Sequence, residues 1–291
     1  MLKQLSFTFP ITVLLSLHLL IARAQVVKEP RATNPEWAKP FTPFRIAGNL
    51  YYVGTYDLAC YLITTSKGNI LINTGLAASD TQIKNNIQAL GFRFDDTKIL
   101  LTTQAHYDHV GAMASIKKMT GAQLMVDDKE APVILDGGRS DYALGADTCV
   151  FKPVTPDRLL HNGDTIALGN MQIVILHHPG HTKGSCSYLF TVKDDKRSYR
   201  VLIANMPTII TSKKFTDIPA YPEIAGDYAY TLNALKNISF DIWLASHASQ
   251  FNLHNKYKLG DAYRPEVFFD NDGYHSALSQ LQKEYDEKMK Q

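Results

Sequence analysis

The stretch LLTTQAHYDHVGAM (residues 100–113) puts Gln104, His106, Asp108 and His109 within six residues, directly after an apolar run that reads as a buried strand. Imidazole and carboxylate are ordinary ligands of Zn²⁺, whereas the neutral amide of glutamine is a poor one. If the backbone stays extended, alternate side chains face one way. Gln104, His106 and Asp108 are then expected to point toward one place and His109 toward a neighbouring one. Two further segments carry a histidine where a strand runs into a loop. In HHPGHTKGS (residues 177–185) a turn at Pro179 and Gly180 presents His181, and in LASHASQF (residues 244–251) His247 follows an apolar strand. One cluster and two distant loop histidines are what a two-metal site assembled from several loops needs. Neutral imidazoles with a carboxylate suit Zn²⁺, and a catalytic site leaves one position open for water. A single histidine at a strand end is more often a surface or hydrogen-bonded residue. His161, His177, His178, His254 and His275 are read that way.

The chain has 291 residues, of which 45% are hydrophobic, and this suits one soluble domain with an ample core. Residues 1–24, MLKQLSFTFPITVLLSLHLLIARA, combine Lys3, an apolar run over 11–21 and a small-x-small site at Ala22, Arg23 and Ala24. This is the pattern of a secretory signal peptide. The run is short for a membrane span, an N-terminal anchor being the alternative. The mature domain is expected to cover residues 25–291, to be periplasmic and to have no stable membrane association. Lys3 and Arg23 are the only charged side chains before Gln25, so their removal takes the formal charge from +2 to zero. Nothing in that balance suggests a nucleic-acid partner. Cys60, Cys149 and Cys186 allow at most one disulfide, and with no C-x-x-C a cysteine-based zinc cage is unsupported.

Around the motifs, short strand-like runs alternate with turns. FRIAGNLYYVGT (44–55) reads as two strands about Gly48 and Asn49, and CYLITTSKGNILINTG (60–75) as a hairpin about residues 66–69. Ser79 is expected to cap a helix over 79–90 that turns Ile83, Ile87 and Leu90 to one face. DTIALGNMQIVILHH (164–178) reads as a hairpin about Gly169 and Asn170, and residues 184–192, 199–206 and 240–247 read as strands. Residues 227–238 and 274–290 read as helices. The order predicts an α/β protein of two sheets packed face to face with helices outside.

On these residues the chain is identified as resembling a known family. TTQAHYDHVGA (102–112) is similar to the T-H-x-H-x-D-H-x-G signature of the metallo-β-lactamase superfamily. HHPGHTKGSCSY (177–188) resembles its second ligand segment and ASHAS (245–249) its third. The match looks most like class B, subclass 3, and within it the GOB type, which also carries glutamine at the head of the motif. The resemblance implies a four-layer αββα sandwich with its site along one edge of the sheets. It implies one or two Zn²⁺, a first site of Gln104, His106 and His181, and a second of Asp108, His109 and His247. It implies hydrolysis of the β-lactam amide of penicillins, cephalosporins and carbapenems, conferring resistance. A zinc-activated water attacks, Asp108 orients it, and zinc balances the charge on the departing ring nitrogen. A monomer acting on a small β-lactam is implied. Tyr142, in a loop over 137–148, and Met206 and Thr208 are the expected substrate contacts.

Two departures stand out. Asn73 occupies a position where the superfamily usually has aspartate, and Asn205 with Met206 stands where another subclass has a cysteine ligand. Related thioesterases of the glyoxalase II type and lactonases, the alternative activities, usually carry a metal-bridging aspartate at the position of Asn205 and keep the first motif histidine. A nuclease would want a basic surface. A non-catalytic metal carrier would close its coordination sphere. With a glutamine in the first site, the Asp108, His109 and His247 site is expected to be the tighter. The alternative is that Gln104 ligates well enough for both to fill at ordinary zinc levels.

Overall fold

The computed structural model describes residues 26–31 and 34–291, so the signal segment read at 1–24 lies outside the described residues. The first sheet is formed by β1 (Phe44–Ala47), β2 (Leu50–Tyr52), β3 (Tyr61–Thr65), β4 (Gly68–Ile72), β5 (Thr97–Leu101), β6 (Gln123–Asp127) and β7 (Arg158–Leu160), in that order. Its first half is antiparallel, and from β4 to β7 the pairs are parallel. The second sheet has β8 (Thr165–Leu168), β9 (Met171–His177), β10 (Cys186–Lys193), β11 (Ser198–Ala204) and β12 (Ile242–Ala245), in the order β12-β11-β10-β9-β8. The helices are α1 (Asp80–Ala89), α2 (Tyr107–Val110), α3 (Met113–Thr120), α4 (Ala131–Asp136), α5 (Ile224–Lys236), α6 (Leu253–Lys256) and α7 (Asn271–Lys288).

The strands of the first sheet are apolar on both faces because both faces are covered. Tyr61, Ile63, Ile70, Ile72, Ile99 and Leu101 join residues of the second sheet in one core. The alternate residues Leu62, Leu71 and Leu100 pack instead with Ile83 and Ile87 of α1 and Ile116 of α3. The two-residue period of a strand divides one continuous apolar run between two cores. On the far side, Leu232 and Leu235 of α5 and Leu278 and Leu281 of α7 close over the second sheet. This is the expected four-layer sandwich.

Most of the elements read from sequence are present. The helix over 79–90 forms as α1, but Ser79 sits in a preceding 3-10 turn and makes no capping hydrogen bond. α2, α3, β6, α4 and β7 are additional to the elements expected from the sequence. Cys60, Cys149 and Cys186 are all buried, and among the described residues no disulfide joins them.

The strands also fix where the site must be. β4 and β5 run parallel, so residues 73 and 102 leave the first sheet at the same edge. In the second sheet β11 runs parallel to β12 and antiparallel to β10, which is antiparallel to β9. The C-terminal ends of β9, β11 and β12 therefore share one edge. Hydrogen bonds stitch the two edges together. Cys186 N donates to Thr103 O (2.9 Å), Tyr188 Oη to Thr102 O (2.7 Å) and Tyr61 Oη to Ala245 O (2.6 Å).

The division of the apolar run between two cores can be tested. Leu71→Ala removes a side chain that is fully buried among α1 and α3. It should lower the unfolding free energy by about 2–5 kcal/mol in urea denaturation. Lys67→Ala in the exposed hairpin turn should stay within about 0.5 kcal/mol of wild type. A loss below about 1 kcal/mol at Leu71 would contradict the packing described.

Candidate metal centre

β5 ends at Leu101, the chain bends at Thr103, Gln104 and His106, and residues 107–110 then wind into α2 with His106 as its N-terminal flanking residue. Strict alternation therefore does not run through the motif. The expected grouping of Asp108 with Gln104 and His106 gives way to another, in which one carboxylate oxygen of Asp108 and one ring nitrogen each of His109 and His247 lie within 4.8 Å of one another. Asp108 Oδ2 is 3.2 Å from His109 Nε2 and 3.4 Å from His247 Nε2.

His247 is held by groups far from it in the chain. His247 follows β12, and its Nδ1 lies 3.1 Å from Asp57 Oδ2. A carboxylate only accepts, so Nδ1 carries the proton and Nε2 faces Asp108. Asp57 is itself fixed by Trp37 Nε1 (3.1 Å) and Ser249 N (2.9 Å), and the Trp37 ring sits 5.5 Å from that of His247. Burial opposes charge on both partners, yet the contact wins. The Asp57 carboxyl is lowered to about 2, and His247, between Asp108 and Asp57, is raised to about 9. Asp108 is likewise held well below the usual carboxylate range by His109 and His247, against its burial.

A second group lies beside the first. His106 Nε2 is 3.3 Å from Asp141 Oδ2, so this nitrogen donates, and Nδ1 faces Gln104 Nε2 at 3.4 Å. The His106 and His181 rings are 4.9 Å apart. His181 Nδ1 donates to Thr208 O (2.8 Å), which leaves Nε2 as its free lone pair. The turn before His181 depends on Gly180, whose φ is +124° and where a Cβ would come within 2.9 Å of the Tyr228 ring. Thr231 Oγ1, also from α5, donates to Pro179 O (2.6 Å) and braces the same turn. Burial pushes the His181 imidazole down to about 3, with His106 adding to it, so this ring is a neutral donor of an electron pair.

Among the expected substrate contacts, Tyr142 lies in the loop after α4 and donates to His181 O (3.2 Å). Met206 is buried in the core between the sheets, and Thr208 holds His181 through its carbonyl, with its hydroxyl 3.1 Å from the same nitrogen. Asp141, in the Tyr142 loop, was not anticipated. Its Oδ1 accepts from Ala143 N (2.9 Å) and Leu144 N (2.6 Å), so the loop folds around the carboxylate that meets His106.

The two asparagines have physical reasons. Asn73 sits at φ +62°, and its Oδ1 accepts from Thr103 N (3.0 Å) and Thr102 Oγ1 (3.2 Å) while Nδ2 donates to Ala59 O (3.4 Å). A carboxylate would face that carbonyl with no proton to give. Asn205 likewise spends its Nδ2 on Thr103 O (3.0 Å).

The donor set fits a zinc ion. Both ring nitrogens of His109 are buried without a well-formed hydrogen bond among the described residues, Nε2 having only the 3.2 Å approach of Asp108 Oδ2, a costly state for polar atoms unless something else binds them. One further imidazole, that of His247, and the Asp108 carboxylate converge with that ring on one point.

The comparisons with known proteins agree with this geometry. The model of the metallo-beta-lactamase superfamily matches residues 54–194. The chain is 66% identical to the class B3 di-zinc metallo-beta-lactamase LRA-12 from an Alaskan soil metagenome, over 90% of this chain and 100% of that one, with a TM-score of 0.90. It is 58% identical to the metallo-beta-lactamase GOB-18 from Elizabethkingia meningoseptica, over 92% of this chain and 99% of that one, with a TM-score of 0.91. A probable metallo-hydrolase of Burkholderia pseudomallei is 33% identical over 117 residues, 39% of this chain and 37% of that protein. The chain spans 37% to 66% of the length of the first curated relatives that it matches.

The raised His247 imidazole gives a signed pH dependence. At neutral pH it is protonated in the zinc-free protein, so zinc must displace that proton from Nε2. Zinc affinity at the Asp108, His109 and His247 group should rise about tenfold per pH unit below pH 9 and level off above it. Calorimetry in buffers of different ionisation enthalpy at pH 7.5 should show about one proton released per zinc from this group. Asp57→Asn, which removes one of the two carboxylates beside the ring, should reduce that release. Proton release unchanged by Asp57→Asn would contradict the assignment.

Proposed function

Because the chain belongs to the metallo-β-lactamase superfamily and matches a class B3 enzyme along that enzyme's whole length, we infer that it is a zinc-dependent β-lactamase. It hydrolyses the amide bond of β-lactam antibiotics and so confers resistance. The observation that carries this reading is the convergence of Asp108, His109 and His247 at the sheet edge in a chain 66% identical to a di-zinc enzyme of that class.

Asp108, His109 and His247 are proposed as one zinc site and Gln104, His106 and His181 as the other. When bound, zinc supplies an activated water and a Lewis acid for the developing negative charge. The protein's part is to aim the donors. Asp57, Asp141 and the Thr208 carbonyl each hold a proton on the outward nitrogen of a histidine, which leaves the inward nitrogen as a lone pair. Asp108 is proposed to orient the attacking water, since its carboxylate stays ionised beside two imidazoles. Tyr142 and Thr208 are proposed to border the substrate, Thr208 from its place against His181, whereas Met206 is packed into the core between the sheets and does not. A single chain contains all six donor side chains, so a monomer suffices. The Asp108 site is proposed to be the tighter, because Gln104 offers only an amide where the other site offers a charged carboxylate.

Export is proposed from residues 1–24, and β-lactam targets lie outside the inner membrane. Among the described residues no helix is long and apolar enough to cross a membrane.

Asp108→Ala and His247→Ala should each lower hydrolysis of a chromogenic cephalosporin on the order of 10³-fold or more, because each removes a zinc ligand. A chelator should abolish wild-type activity, and thioesters and lactones should be poor substrates. Near wild-type turnover and metal content in either variant would disprove the ligand assignment. Faster turnover of thioesters than of β-lactams would favour the thioesterase reading. Gln104→His should tighten the weaker zinc site by supplying a third imidazole. Two equal affinities already present in wild type would show that Gln104 ligates well.

A further inference from the structure

The two loops that carry Gln104, His106 and His181 come from different sheets, residues 102–106 after β5 and residues 178–185 after β9. Glu130, immediately before α4, lies between them and is 1% exposed. Its Oε2 accepts from Ala105 N (2.8 Å), and its Oε1 accepts from Gly184 N (2.8 Å) and from Thr182 Oγ1. Ala105 stands between Gln104 and His106, and Thr182 follows His181. Two of these three hydrogen bonds therefore arrive one residue from a proposed ligand. The register is tight: a Cβ at Gly184 would come 2.5 Å from Glu130 N and 2.7 Å from Asp127 Oδ1. Burial pushes the Glu130 carboxyl up, to about 7, while Thr182, His106 and Gly184 pull it down. Three donors and no acceptor suit the ionised form.

We propose that Glu130 is a positioning residue that sets the separation of His106 and His181 by holding both loops, and thereby sets the metal affinity of the site to which Gln104 contributes only weakly. The inference rests on the assignment of Gln104, His106 and His181 as a zinc site. It goes beyond that assignment by naming the group that spaces the two loops. The Asp108, His109 and His247 site takes its positioning from Asp57 and α2, and Glu130 makes no hydrogen bond to either. The effect should be confined to one site of the two.

Two variants separate this from general loosening of the fold. Glu130→Gln cannot satisfy all three donors. If its oxygen keeps Thr182 and Gly184, its amide meets Ala105 N–H donor to donor. Thr182→Val removes a single hydrogen bond on the His181 side with little change of shape, and carries the test if Glu130→Gln fails to fold. Zinc-free mature protein is titrated with Zn²⁺ against a competing chelator, with bound metal counted per chain. Glu130→Gln should weaken the lower-affinity site about 10- to 100-fold and leave the higher-affinity site within about twofold. Thr182→Val should act in the same direction but less. Parallel weakening of both sites, or no change at either, overturns the inference while leaving the two-site reading intact. A wild-type protein that takes up one zinc only would sink the two-site reading itself, and the role of Glu130 with it.

Discussion

The structure depends on gathering imidazoles and carboxylates into one corner in which most of them are buried. Asp108, His109 and His247 meet there, and both ring nitrogens of His109 lack a well-formed hydrogen bond among the described residues. Leaving such groups unpaired costs on the order of 1–3 kcal/mol each, so a fold that keeps them must recover the cost by binding something. A single metal ion would take one donor atom from each of the three side chains. Everything around the corner can be read as the means of holding those donors in place. Two sheets deliver their strand ends to a shared edge, and backbone hydrogen bonds from Cys186 to Thr103 and side-chain bonds from Tyr61 and Tyr188 lock the edges together.

A second layer of acidic and carbonyl oxygens decides which nitrogen of each histidine faces inward. Asp57 does this for His247, Asp141 for His106 and the Thr208 carbonyl for His181. These three groups belong to a loop after β2, a loop after α4 and the segment after β11, so the corner is braced from three directions. The same layer accounts for the electrostatics. His247 is raised because the two carboxylates beside it outweigh its burial, whereas His181 is lowered chiefly by burial, with the His106 imidazole adding to it and the Thr208 carbonyl opposing it.

How much of this was legible in the sequence follows from what local patterns can encode. The strand runs, the hairpin turns and the two long C-terminal helices announce themselves through period and punctuation. The six proposed donors sit in motifs whose order and spacing are visible in one dimension. The helical turn at residues 107–110 was not visible, because YDHV carries no periodic signal and the extended run before it favoured continued alternation. Asp57, Glu130 and Asp141 were invisible for another reason. Each reaches its partner across tens of residues, and an isolated acidic residue in a loop looks like any solvated one. Asn73 and Asn205 were recognisable as departures, but why an amide suits them needed the carbonyls of Ala59 and Thr103 opposite their nitrogens.

The central claim is that the buried donors form a zinc centre anchored by Asp108, His109 and His247. Anomalous diffraction at the zinc edge from crystals of the metal-loaded protein tests it most directly. The account predicts the strongest peak within bonding distance of one Asp108 oxygen, one His109 nitrogen and His247 Nε2, and a weaker peak near His106 and His181. A strongest peak away from Asp108, or at Gln104, His106 and His181 with the first position empty, would contradict it.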